Sequence, residues 1–367
     1  MLFQNSLSLH SNSEHMSLEQ KNKINRMPRM GKYVIGGVLV ALVIAGLRAW
    51  QLFGYIFDPN VKNDYVLFVE KGTTFDAVLD SMEQNDVLFN LKAFRWTARK
   101  KDYHQVVRPG RFHFKQGMNN NEMVNILRAG LQEPVSLIFN NIRTHEQLAA
   151  VVSNYLQADS ASVADLFTPG TAGKYGFTPE TFLSMFIPNT YEFYWTTSAE
   201  EFADRMNVEY VRFWNEERKK KAEALGLTPT EVATLASIVQ EETAKADEKA
   251  RVAGVYINRL KRGMLLQADP TVKFAVGDVT LQRILFSHLE VESPYNTYKN
   301  AGLPPGPITF PEISSIDAVL NYEEHNYYYF CARDDFSGYH AFARTNAEHN
   351  INAEKYRAAL NERKIYQ

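Results

Sequence analysis

Thr228-Pro-Thr-Glu-Val-Ala-Thr-Leu-Ala-Ser-Ile-Val-Gln-Glu-Glu-Thr243 is the stretch from which the rest of the chain is read. Thr228 is a good N-cap, Pro229 suits a first helical turn and Glu231 sits at capping-box spacing, so a helix is expected to start here. Val232, Leu235, Ala236 and Val239 recur at i, i+3, i+4 and i+7, which marks one buried face. At about 100° per residue that face runs on through Glu242, Thr243 and Ala246. Ile238 lies beyond Glu242, so the acid falls inside the apolar arc, while Glu241 points to solvent. A carboxyl held against apolar surface has its charged form disfavoured, and its pKa rises. This is how a general acid keeps its proton near neutral pH. The plain alternative is a structural acid paired with a cation such as Arg259.

The bulk numbers narrow the class. A chain of 367 residues suggests two folded units plus extras. Hydrophobic content of 45% with 22% charged residues is ordinary globular composition, and a net charge of −2 points away from nucleic acid. One cysteine, Cys331, rules out an intrachain disulfide framework and a cysteine-rich zinc site. It sits in the strand-like run Tyr327–Ala332 and reads as buried filler. The histidines lack metal-ligand spacing, and His-Glu-x-x-His, Gly-x-Ser-x-Gly and phosphate-loop motifs are absent, so neither metal nor cofactor is expected.

Residues 33–57 form an apolar segment broken only by Arg48 and Gln51. About 20 residues cross a bilayer core, so the segment is long enough for a transmembrane helix. Lys21, Lys23, Arg26, Arg29 and Lys32 precede it and Asp58 follows, which places the N-terminus in the cytoplasm and the rest outside. A cleaved signal peptide would have a shorter apolar core and a small-residue cleavage site before Asp58. Residues 1–32 are polar, without apolar periodicity, and read as a disordered cytoplasmic tail.

Two strand–helix patterns fill residues 64–130. Tyr65–Val69 precedes a helix capped by Thr73 with Asp76, and Gly110–Phe114 precedes one capped by Asn119 with Glu122. Further on, Leu131–Phe139 begins a linker strand and Thr144 caps a helix through Tyr155. One long helix with charged faces is expected over 199–225, carrying Phe202, Met206, Val208, Tyr210 and Phe213. A helix over 248–262, stopped by Gly263, follows the Glu242 helix. Short strands and loops fill the remainder. Without regular βαβ alternation the class is α+β.

The motifs after Glu242 occur in a fixed order. They are Arg251–Leu260, Gly263-Met264, Leu266-Gln267-Ala268-Asp269-Pro270-Thr271-Val272, Tyr295-Asn296-Thr297-Tyr298, Gly302–Ile308, and then His340, Phe342, Thr345 and Glu348-His349-Asn350. In order and spacing this series resembles the endolytic murein transglycosylase (YceG-like) family over about 190 residues. The resemblance implies a membrane helix, a LysM-like small domain at 64–130 and a mixed α+β catalytic domain at 131–367, with its motif core at 228–350. It also implies that the Glu before the Thr of the family's Glu-x-Glu-Thr run, here Glu242, is the catalytic acid. Two positions depart from the family pattern: its first Glu is Gln240, and its Pro-Asp-Thr-Tyr reads Pro188-Asn189-Thr190-Tyr191.

Lytic cleavage of a β-1,4 glycosidic bond fits a single outstanding acid. The sugar's own C6 hydroxyl attacks the anomeric carbon, so no second carboxylate is needed. Gln267, Asn296 and Thr297 offer amide and hydroxyl partners for sugar groups, and Tyr295 and Tyr298 offer faces for stacking. Asp269 and Thr271 belong either to the substrate site or to a helix start, and His340, Glu348, His349 and Asn350 are candidate substrate contacts or supports behind them. The expected substrate is peptidoglycan glycan strands, with peptidoglycan synthases as partners, and the expected location is a single-pass anchor in the cytoplasmic membrane. Two other readings stay open: a muramidase-type hydrolase using Asp269 as second carboxylate, and a non-catalytic wall-binding scaffold.

Overall fold

The computed structural model describes residues 29–278, 281 and 284–363. Of the disordered tail expected over 1–32, residues 1–28, with Lys21, Lys23 and Arg26, lie outside the described residues, whereas 29–32 are helical. Helix α1 spans Arg29–Phe57, and Gly31–Phe57 within it is long and apolar enough to cross a membrane. Val38, Leu39, Leu42 and Val43 are all exposed, so this helix buries no single stripe. A helix apolar on every side has lipid or a large core as its natural surroundings.

The chain divides into two compact units, Met1–Glu133 and Pro134–Gln367. In the first, β1 (Tyr65–Val69), α2 (Phe75–Gln84), α3 (Leu91–Lys100), β2 (Gly110–Phe114) and α4 (Asn120–Ala129) follow α1. β1 and β2 pair antiparallel, with Tyr65 opposite Phe114 and Val69 opposite Gly110. Leu67, Val78, Leu79, Phe94, Phe112 and Met123 make the core. Asn119 caps α4 in the expected capping box. The cap of α2 is Thr74, one residue later than expected: its Oγ1 accepts the Ala77 amide at 3.2 Å, while Thr73 still belongs to the turn closed on the Glu70 carbonyl. Sequence periodicity overlooked α3, a helix with a Phe94–Ala98 inner side and a Lys- and Arg-rich outer one.

The second unit contains β3 (Val135–Phe139), α5 (His145–Ser153), α6 (Ser160–Ala164), α7 (Pro169–Lys174), β4 (Asn189–Phe193), α8 (Ala199–Phe213), α9 (Glu216–Leu225), α10 (Pro229–Glu242) and α11 (Lys249–Lys261). After these come α12 (Asp269–Val276), α13 (Phe286–Leu289), α14 (Ile313–Leu320), β5 (Tyr329–Ala332), β6 (His340–Ala343) and α15 (Asn346–Glu362). β3 pairs with β4 and β5 with β6, both antiparallel. The single helix expected over 199–225 is two: Trp214 turns inward and is buried, and Asn215 caps α9 by accepting the Arg218 amide. Val208 is exposed, whereas Phe202, Ala203 and Met206 face the core. After Gly263, α12 begins at Asp269, one of the two readings of that motif, and the expected loops also hold α14 and α15, each of eight or more residues.

α10 is the spine of the unit. It is buried on more than one face, from Val232 through Val239, because it packs against both α11 and α14. Its buried hydroxyls are satisfied locally. Thr234 donates to the Thr230 carbonyl at 2.8 Å and Ser237 to the Thr234 carbonyl at 2.7 Å. Ser237 also accepts the Ile308 amide at 3.0 Å, which ties the Gly302–Ile308 loop to the helix. Gln240 serves as a second clamp: it donates to the Phe310 carbonyl at 3.2 Å and accepts the Glu312 amide at 2.7 Å. An ionised Glu at this position would accept but not donate, so the amide is the better fit here.

Candidate active site

Glu242 is the last residue of α10. Thr243 turns extended, with φ −140° and ψ 132°, so the apolar face does not continue to Ala246 and no helical turn follows to cover the acid. Glu242 is half-buried at the wall of a cavity of about 380 Å³, a size suited to a small ligand or to part of a longer one. Burial raises its pKa to about 7; the Tyr256 hydrogen bond opposes that shift, the nearby Asp269 carboxylate adds to it, and Lys273 and Arg259 oppose it. Tyr256 of α11 donates its hydroxyl proton to Glu242 Oε1 at 2.7 Å. Burial and the adjacent Glu242 hold the Tyr256 phenol itself well above its ordinary range, so it remains a donor.

Glu241, expected in solvent, instead pairs with Arg143 at 3.0 Å. The cation proposed for Glu242, Arg259, is buried but turned elsewhere. Its Nε donates to the Tyr328 carbonyl at 2.6 Å, and its Nη1 to the Leu266 carbonyl at 2.8 Å and Gln267 Oε1 at 3.4 Å. Its guanidinium lies 5.2 Å from the Tyr329 ring centroid. Arg259 therefore braces the cavity wall and acts on Glu242 through space.

The expected site residues separate into two groups. Gln267, Asp269, Tyr298 and His340 line the same cavity as Glu242. The Tyr298 hydroxyl donates to Asp269 Oδ1 at 2.6 Å, which holds that carboxylate at the first turn of α12. Thr271, Asn296 and Thr297 are fully buried and bonded internally. The Thr271 hydroxyl donates to the Ala268 carbonyl at 2.7 Å, and Thr297 Oγ1 accepts the Ala268 amide at 3.0 Å. The Asn296 amide spans the Leu289 and Val291 carbonyls at 2.8 and 2.9 Å. These three set the loop that presents Gln267 and Tyr298. Tyr295 packs on Phe274, with ring centroids 4.6 Å apart, instead of lining the cavity.

At the C-terminus, Glu348 is an N-cap partner that accepts the Arg344 amide at 2.8 Å, and Asn350 is exposed away from the cavity. Their neighbours Asn346 and His349, one helical turn apart on α15, face it. His349 lies stacked 5.5 Å from Tyr329, its pKa lowered by burial and then by Arg259, so the ring stays neutral. Cys331, expected as buried filler, is half-buried on β5 and also reaches the cavity.

A third group was not read from the sequence. Glu248, buried at the start of α11, accepts the His340 amide at 2.9 Å through Oε1 and bonds His340 Nδ1 at 2.8 Å through Oε2. Thr243 donates to the same Oε2 at 3.4 Å. The residue that ends the Glu242 helix thus also fixes the histidine on the cavity. Arg259 was named from the sequence only as a partner for Glu242, and Tyr256 was discoverable beside it, since Val252, Val255, Tyr256 and Arg259 recur at i, i+3, i+4 and i+7 on one helix face, which is buried.

One prediction belongs to this geometry. Tyr256→Phe removes a bond that favours the Glu242 carboxylate, so the Glu242 pKa is expected to rise further. The alkaline limb of any activity that needs its proton should move to higher pH, with a rate loss of roughly tenfold from the unheld carboxyl. A pH–rate profile on the variant checks this; a limb that stays or moves down is the contrary result.

The YceG-like family matches residues 67–355. A protein of Bacillus subtilis (strain 168) named endolytic murein transglycosylase is 30% identical over 327 residues, covering 83% of this chain and 88% of its own. A protein of the same name from Streptococcus pneumoniae (strain ATCC BAA-255 / R6) is 27% identical over 362 residues; the match covers 87% of this chain and 64% of that relative's length. Among solved structures, a yceG-like protein from Listeria monocytogenes superposes with a TM-score of 0.53 at 26% identity, over 79% of this chain and 99% of that one.

Proposed function

The chain belongs to the YceG-like family, and from that premise we propose that it is an endolytic lytic transglycosylase of peptidoglycan, with Glu242 as its proton-transferring acid. The observation that carries the reading is one carboxyl, with its pKa raised to about 7, on the wall of a cavity. The relatives from Bacillus subtilis and Streptococcus pneumoniae bear the name of this activity. In the reaction, Glu242 gives its proton to the glycosidic oxygen as the bond from C1 of the N-acetylmuramyl residue to that oxygen breaks. The C6 hydroxyl of the same sugar then bonds to C1, and its proton passes to the Glu242 carboxylate. A 1,6-anhydro end forms, the acid is regenerated, and no water is consumed.

The remaining cavity groups act on substrate position. Tyr298 and Tyr329 give flat faces for sugar rings, Gln267 and Asn346 give amides, and His340 is oriented by Glu248. Asp269 beside Glu242 keeps alive the muramidase reading, in which it would activate water. Cleavage in ¹⁸O-labelled water separates the two: anhydro ends free of label support transglycosylation, and labelled reducing ends support hydrolysis. α1 anchors the enzyme as a single pass, with its N-terminus in the cytoplasm and the catalytic unit outside. The unit at 64–130 has the strand–helix pattern of a LysM-like domain. Tethering keeps the site where new strands emerge, next to the synthases, and suits strand release or termination.

A further inference from the structure

α1 does not end in a free linker. Tyr55, two residues before its end, accepts at its carbonyl from Thr97 Oγ1 at 3.1 Å and from Asn120 Nδ2 at 2.7 Å. The Asp58 amide returns to the Gly54 carbonyl at 3.0 Å. Trp96 sets its ring edge-on to Tyr55, with centroids 6.1 Å apart. Nearer the other end of α3, Phe89, Asn90 and Ala93 share a cavity of about 320 Å³ with Trp50, Gln51 and Gly54. α3 therefore lies alongside the last two turns of α1.

Depth follows from length. Residues 33–57 extend about 37 Å as a helix, more than the ~30 Å of a hydrocarbon core. Counted from Tyr33, next to the basic Lys32, a core of that thickness ends near residue 52, which puts the last turn of α1, and the α3 residues bonded to Tyr55, at the headgroup layer. Trp50 and Phe89 are 78% and 68% exposed there, as aromatic residues at an interface are.

The charge on α3 matches that depth. Lys92, Arg95, Arg99 and Lys100 are exposed, and among the described residues none of them is in an ion pair. Lys101, next to them, spends its ammonium on Asn121 and Asn125. By helical period Lys92, Trp96, Arg99 and Lys100 share one flank, opposite the buried Phe94 and Ala98. The Lys100 ammonium lies 6.0 Å from the Trp96 ring centroid. We infer that this flank of α3 is a docking surface for anionic phospholipid headgroups, which holds the small unit down on the bilayer surface. This rests on the reading of residues 33–57 as a membrane anchor and is independent of the chemistry at Glu242.

Hydrogen exchange of residues 91–101 tests it, with the full chain in nanodiscs of phosphatidylcholine alone or with phosphatidylglycerol added. Each cation near an anionic surface is worth about fivefold in binding, so the anionic disc should slow exchange by at least fivefold. High salt or the combined K92Q/R95Q/R99Q/K100Q variant should remove the difference; these side chains are exposed, so folding is expected to survive. Equal exchange in both discs, or equal slowing in the variant, would overturn the surface. So would equal slowing by soluble polyphosphate in phosphatidylcholine discs, which would mark a site for free polyanions. A chain that enters neither disc would remove the anchor and this surface together.

Discussion

Glu242→Gln is expected to reduce strand cutting by about 10²–10⁴-fold while making the protein more stable above neutral pH. The amide still accepts the Tyr256 hydroxyl but has no proton of the right acidity to give. The stability change has a definite sign. The folded pKa of about 7 is raised from an ordinary 4.5, so the acid costs nothing below the unfolded value, where both states are protonated. The cost grows as pH rises toward the folded value and levels off above it, at about 3 kcal/mol. Glutamine carries no such penalty. Thermal unfolding of the two proteins should therefore coincide near pH 4 and diverge by several degrees at pH 8, with the variant higher. An inactive variant that is less stable at both pH values would indicate a structural acid.

Gly306→Ala is expected to destabilise the second unit by about 3 kcal/mol or more. A β-carbon built on Gly306 would fall 1.9 Å from the Glu180 carbonyl oxygen and 2.5 Å from its carbon. Both are backbone atoms, so no side chain can swing away, and the loop tied to α10 through Ser237 must move instead. Gly302 in the same loop is a control of a different kind. It has open space around it but a φ of +87°, so Gly302→Ala should cost only about 1 kcal/mol of backbone strain. Thermal melts compare them directly. A Gly306→Ala protein that melts with the wild type would show that the two backbones do not approach this closely.

What was legible in the sequence was whatever a repeating local pattern encodes. The Thr228 capping box and the buried face to Val239 stand in the structure as the periodicity predicts; the continuation past Glu242 to Ala246 does not, because the helix ends at the acid. α1 was legible from its length and missing charges. The misses share a cause, which is that tertiary partners are invisible to local period. Trp214 breaks a helix because it packs inward, and α14 is too short for its period to distinguish it from a loop. Polar motif residues posed the same problem. Asn296 and Tyr298 are two positions apart and equally suited to a sugar, yet one spans two carbonyls inside the loop and the other faces the cavity. At Glu348 and His349 a local rule was available, since the Thr345 cap assigns Glu348 to the helix start and leaves its neighbour free.

The most direct measurement of the account is a ¹³C titration of the Glu242 side-chain carboxyl, assigned by its absence from Glu242→Gln. A midpoint near pH 7, moving higher in Tyr256→Phe, is the predicted result. A midpoint near the ordinary 4.5 would contradict it, because an acid that has already lost its proton at neutral pH has none to give to a glycosidic oxygen.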